Sequence, residues 1–279
     1  MSLRPRSFVT VILAITAVGA SCLAAAAADP PPPASGPQPA ESAAPQPDPG
    51  VLSDIKLYFT APLRWDGAEW AWFGGALLAI GASHSLDNRV REHFVKNLSP
   101  GEAGNSEDVH DAIPTAGVFL ATLAYASVLD DNGGRREAWA MLEAAGLSGV
   151  TAYVLKYAAG REGPDQTSDP NEWGKGSGGS FPSLHSTAAF AVGTVLAESG
   201  DDEYRWVRRV LGYGLGVFTS YERLKHNAHW LSDTVAGAAL GTASAGFTMD
   251  HRYRAYEESH LALVPVQGGA MLTYRLSLP

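Results

Sequence analysis

From Trp70 onward the apolar positions of this chain fall in long, Ala- and Gly-rich runs, with little of the apolar–polar alternation that marks strands. The pattern predicts helices over 53–60, 67–82, 86–97, 112–129, 136–159, 184–199, 203–222 and 228–248. Ser85, Asp111 and Ser183 are expected N-caps, and Gly160 and Gly200 expected helix stops. Pro114 falls in a first turn, where its missing N–H is not needed. Residues 160–182 hold glycines at 160, 163, 174, 176, 178 and 179 together with Pro164 and Pro170. This is a long loop, of the kind that in compact domains carries function or disorder. Towards the end the pattern changes: Leu261 to Val266, Gly268-Gly269 and Ala270 to Leu276 read as a β-hairpin. The expected fold is mainly α, a helical bundle over 51–258 with a short C-terminal β-hairpin over 259–279.

The first residues alter that picture. Arg4 and Arg6, an apolar core from Phe8 to Ala20 and the small residues Ala24 to Ala28 predict an export signal over 1–28. A retained anchor fits the short apolar stretch less well, and lipoprotein processing at Cys22 would put Gly19 where a large aliphatic residue belongs. Cleavage after the alanine run removes the chain's one cysteine, so disulfides play no part in its stability. Residues 29–50, with Pro30 to Pro33 consecutive, read as an extended tether. The expected location is the periplasm or the outer face of a bacterial membrane.

Composition narrows the partners. A formal net charge of -9 argues against nucleic acid, whose phosphates select basic surfaces. Ile113–Leu129 and Leu142–Tyr157 approach membrane-spanning length. Glu143 interrupts the second, and a mean hydropathy of -0.05 also suits the core of a soluble bundle. The expectation is a soluble or peripherally attached domain, with association at a membrane surface left open.

Candidate chemistry clusters in the C-terminal half. His229 and Asp233 stand four apart in a stretch read as helical, so they share a face. The carboxylate would take the proton of one imidazole nitrogen and leave the other as an oriented nucleophile. Taken alone, an ordinary surface His–Asp pair explains them as well. His226, His229 and Asp233 on one helix make an incomplete metal shell, so no metal and no cofactor is expected. Arg223, six residues before His229, is suited to bidentate phosphate contact. Pro182-Ser183-Leu184-His185 opens a helix whose free N–H groups bind anions, with Ser183 and Leu184 at the anion and His185 placed to donate a proton. Lys156 closes the helix before the glycine-rich loop, and Arg161 follows it.

In this order the segments resemble the three-part signature of the type 2 phosphatidic acid phosphatase superfamily, which includes class A acid phosphatases and vanadium haloperoxidases. The signature is a Lys with Arg-Pro seven and eight positions on, then Pro-Ser-Gly-His, then Ser-Arg-x5-His-x3-Asp. The resemblance covers roughly 110–250. Pro182-Ser183-x-His185 and Arg223-x5-His229-x3-Asp233 match; Gly163 replaces the first motif's arginine ahead of Pro164, Leu184 the glycine, and Glu222 the serine. By resemblance, His229 attacks phosphorus and becomes a phosphohistidine, Asp233 orients it, and His185 protonates the leaving group and then activates water. Lys156, Arg223 and the Ser183 region would hold the phosphoryl oxygens, with Arg161 the substitute for the missing arginine. The implied activity is a metal-independent phosphatase acting on a phosphorylated small molecule or a lipid phosphate. The alternatives are a non-enzymatic phosphate-binding relative weakened at Gly163, a haloperoxidase, and a membrane-embedded lipid phosphatase.

Overall fold

The computed structural model describes residues 51–96, 112–128, 132–175, 179–199, 204–258, 261–266 and 269–274. The expected signal peptide, tether, Asp111 cap and Gly200 stop lie outside the described residues, while Leu261–Val266 and Gly269–Tyr274 run as two antiparallel strands. Within them the chain is mainly helical. The helices are α1 (Val51–Thr60), α2 (Gly67–His84), α3 (Asp87–Val95), α4 (Ile113–Val128), α5 (Asn132–Ala159), α6 (Leu184–Glu198), α7 (Arg205–Lys225) and α8 (Leu231–Glu258), with a 3-10 turn at Ala61–Arg64.

Local chemistry explains several boundaries. Asp66 caps α2 in a capping box: its carboxylate accepts from the N–H groups of Ala68 and Glu69, and Glu69 reaches back to the N–H of Asp66 at 2.8 Å. Gly160 ends α5 in a left-handed conformation, φ 51°, that a side chain would disfavour. Ser183 caps α6 as expected, accepting from Ser186 N. Ser85 does not cap α3. It closes α2 instead, its hydroxyl donating to Ala82 O at 2.7 Å, because a downstream cap needs an extended backbone and Ser85 is helical.

Helix α6 is the axle of the bundle. Phe190, Ala191, Val192 and Val195 are all buried, with α5, α7 and α8 packed round them. Met141 and Ala144 of α5, Leu215 of α7 and Ala245 of α8 complete one apolar cluster. Phe94 of α3, Phe190, Leu224, Leu231 and Val235 form a second beneath the active end. Glycine permits the crossing of α6 and α7: a Cβ on Gly193 would collide with the carbonyl of Gly212, and one on Gly212 with the carbonyl of Gly193. Two pairs of buried hydroxyls meet between helices, Ser220 with Ser186 at 2.9 Å and Thr194 with Thr242 at 3.3 Å. At the far end Glu198 ties α6 to α7 through Arg209 Nη2 at 2.9 Å and Tyr213 OH at 3.0 Å. Helix α1 leans on α8 through Tyr58 OH and Ser244 Oγ, 2.7 Å apart.

The crossing makes a prediction. In urea denaturation, Gly212→Ala is expected to lower the unfolding free energy by about 1–3 kcal/mol through overpacking. Gly214→Ala, where a Cβ meets nothing within 4 Å, is expected to leave it unchanged or raise it by up to about 1 kcal/mol.

Candidate active site

Four helix ends converge at one end of the bundle. The last turn of α5 brings Lys156, the first turn of α6 brings Ser183, Leu184 and His185, the last turn of α7 brings Arg223, and the turn into α8 brings His229 and Asp233. Ser183 N donates to Asp233 O at 3.0 Å and so fastens the start of α6 to the start of α8. Arg223 is fully buried, and Lys156 Nζ donates to Gly179 O at 2.6 Å.

His229 lies outside the helix that the sequence predicts for it. Helix α8 begins at Leu231, after a turn in which Asn227 takes φ 55°. The turn still delivers the pairing, with Nδ1 of His229 3.6 Å from Oδ2 of Asp233. Asp233 sits three residues after Trp230, and its Oδ2 accepts the Trp230 N–H at 2.9 Å, the backward reach of a capping-box acid. A carboxylate in a first turn also favours the dipole.

Electrostatics follow from burial. Desolvation pushes the His229 imidazole down to about 4; the facing Asp233 works against this, and the Lys156 and Arg223 charges reinforce it. His229 is therefore neutral at pH 7, with its nitrogen lone pair available. Burial alone would raise the Asp233 carboxyl, but His229, the Arg161 guanidinium and the Trp230 N–H outweigh it and hold it below the usual carboxylate range.

Arg161 occupies a different place from the other cations. Its side chain is fully buried, and all five N–H groups of a guanidinium find acceptors. Nε donates to Pro170 O at 3.1 Å, Nη1 to Ser232 Oγ at 2.7 Å and to Asp233 Oδ1 at 2.5 Å, and Nη2 to Asp87 Oδ2 at 2.7 Å and to Pro170 O at 2.8 Å. Trp173 and Trp230 flank it, 4.6 and 5.3 Å from ring centroid to Cζ. The guanidinium is spent within the protein, not left for an incoming anion. The 160–182 loop is pinned further by Trp230 Nε1 on Glu162 O at 2.8 Å, and by Arg91 Nε and Asn227 Nδ2 on Pro164 O at 3.0 and 2.9 Å.

The substituted motif positions have distinct surroundings. Glu222 faces Lys225 at 3.2 Å and His226 at 3.8 Å, so the lysine answers its charge. This also places His226 against Glu222. At Gly163, a Cβ would collide with the Asp165 carboxylate, which stands where an arginine side chain would emerge. Burial raises the Asp165 carboxyl above the usual range, opposed by the N–H groups of Asp165 and Gln166 and by the Arg223 and Lys156 charges. Leu184 and His185 line one end of an apolar cleft of about 380 Å³ between α4, α5 and α6, walled by Phe119, Met141, Leu142 and Val192. Among the described residues no three His, Cys, Asp or Glu side chains group as metal ligands.

Sequence reasoning missed Asp87, His84 and Asp165. Asp165 lies one residue past the Gly163-Pro164 remnant and was legible as a charge in the wrong place. Asp87 and His84 lie 74 and 77 residues from Arg161, and their own i, i+3 spacing is too common to mark a site.

Comparison with known protein families matches the same part of the chain. The model of the PAP2 superfamily matches residues 137–256, the stretch from early α5 almost to the end of α8. The chain is similar to Lipid A 1-phosphatase of Porphyromonas gingivalis, 33% identical over 113 residues. That alignment takes in 39% of this chain but 23% of the relative, so the chain matches under a quarter of that protein's length. No solved structure matches the chain. Residues 137–256, which supply Lys156, Ser183, His185, Arg223, His229 and Asp233, are thus the stretch that the PAP2 superfamily model matches.

Proposed function

We propose that this protein is a metal-independent phosphatase acting on a phosphomonoester or lipid phosphate through a phosphohistidine. One observation carries the reading: a buried, neutral His229 backed by Asp233 stands in the field of Lys156 and Arg223 where four helix ends meet. With Nδ1 turned to Asp233, Nε2 is the nucleophile. It forms a bond to phosphorus as the ester P–O bond breaks, and His185 gives its proton to the departing oxygen. Lys156, Arg223 and the α6 N–H groups from Leu184 onward hold the phosphoryl oxygens. As the imidazole becomes cationic, its attraction to Asp233 grows, which stabilises the transition state more than the ground state. Water then attacks phosphorus, His185 accepts its proton, and phosphate leaves with His229 restored.

Exposed apolar residues favour a lipid phosphate. Val150, Val154 and Tyr157 of α5 and Trp206, Val210 and Phe218 of α7 are all exposed, and α5 over Gly133–Ala159 is long and apolar enough to cross a membrane. Such a surface fits association with a bilayer, and the export signal expected over 1–28 would set the site in the periplasm or on the outer face of the membrane. A second reading has its own support: the Asp165 carboxylate standing at Gly163 would weaken turnover and leave a phosphate-binding relative.

Three measurements test these readings. Phosphate release from a generic monoester is expected to persist in chelator and to fall by about 10³-fold or more in His229→Ala; loss of all activity in chelator would overturn the mechanism. In the free enzyme kcat/KM is expected to fall with acid as His229 protonates, near pH 4. Asp165→Asn removes a negative charge near both cations, so at pH 7 it is expected to tighten inhibition by inorganic phosphate about 3- to 10-fold. That gain should shrink as pH falls and the wild-type carboxyl takes up its own proton.

A further inference from the structure

The Arg161 network reaches beyond the reading just given, and its interpretation rests on that reading. An arginine that substitutes for the one missing at 163 would need at least two N–H groups for a phosphoryl group. All five are engaged, and withdrawing the guanidinium would strand Asp87 and Asp233, both 0% exposed, as unpaired buried charges. The network has a direction. Asp87, in the first turn of α3, accepts from Ser232 N at 2.9 Å on Oδ1 and from Ser232 Oγ at 2.7 Å on Oδ2. Its Oδ2 also accepts from Arg161 and lies 3.0 Å from Nδ1 of His84. Arg161 then grips Oδ1 of Asp233, while the Trp230 N–H grips Oδ2, the oxygen that faces His229. A carboxylate held at both oxygens has a fixed plane.

We infer that Arg161 and Asp87 are positioning residues for the reaction: together they set the orientation of Asp233, and through it the nucleophilic His229. Neither touches the phosphate. Asp87 lies outside residues 137–256, so a helix beyond the family's matched stretch completes the site. A carboxylate clamped back towards Arg161 also explains why Asp233 stands off at 3.6 Å from His229 instead of closing to a hydrogen bond.

The test compares Arg161→Lys and Asp87→Asn with wild type, each first checked for cooperative unfolding. A lysine keeps the charge but not the fork. A positioning role is expected to lower kcat about 10- to 100-fold in both variants, with KM and inhibition by inorganic phosphate within about twofold. The double variant should be little worse than either single one. The second readout is the NMR titration of the His229 imidazole, which needs no turnover. In Arg161→Lys the released Asp233 pairs with the imidazolium, so the midpoint should rise from about 4 towards the ordinary histidine value.

A tenfold weakening of phosphate inhibition in Arg161→Lys would make Arg161 a phosphate ligand and overturn the inference. Unchanged kcat and an unchanged His229 midpoint in folded variants would reduce the network to a structural staple. Should Arg161→Lys not fold, the near-isosteric Asp87→Asn carries both readouts. Should wild type show no turnover, the phosphatase reading fails while the titration still decides the clamp.

Discussion

A carboxylate held out of water at the start of α8 constrains nearly everything around it. Asp233 is fully buried, and an ionised group in that position persists only when donors and opposite charge replace its hydration. The replacements come from three directions: the guanidinium of Arg161, the N–H of Trp230 and the imidazole of His229. Each drags structure with it. Arg161 fastens the glycine-rich loop, Trp230 fixes the turn that carries His229, and Ser183, whose N–H donates to the Asp233 carbonyl, brings the start of α6 alongside.

The same burial that makes Asp233 demanding makes His229 useful. Out of water the imidazole loses its proton, and two nearby cations push in the same direction. A histidine in solution would be partly protonated near neutral pH; here the lone pair is available without any base to free it. Under the proposed function, the field that depresses the histidine is also the field that would hold a phosphate, so attraction for substrate and activation of the nucleophile would share one cause. Asp165 works against that field from the loop side, occupying space that an arginine at 163 would need.

Much of this was legible in the chain itself. Apolar runs without alternation predicted helices within a few residues of those observed for α2, α4 and α6, because burying one stripe of Ala, Val and Leu is a local property of helical spacing. Ser183 as a cap and Gly160 as a stop were equally local. Legibility failed where a boundary depended on a distant partner. His229 reads as helical from its spacing to Asp233, yet a turn ending at Trp230 sets its direction. Ser85 reads as a cap and instead closes the helix before it.

By itself, then, the sequence determined the helical class, the order of the motif segments and the residue types that meet at the site, since these rest on short-range periodicity and on side-chain chemistry that any fold must respect. Only the tertiary structure decided what those residues do for one another. Arg161 beside the Gly163 gap looked like a spare phosphate ligand, and packing gave all its N–H groups to Asp87, Ser232, Asp233 and Pro170. Asp87 carried no mark in the sequence at all, because a buried charge is defined by which partners the fold brings to it. Those partners lie 74 residues away in Arg161 and 145 in Ser232, beyond the reach of any local pattern.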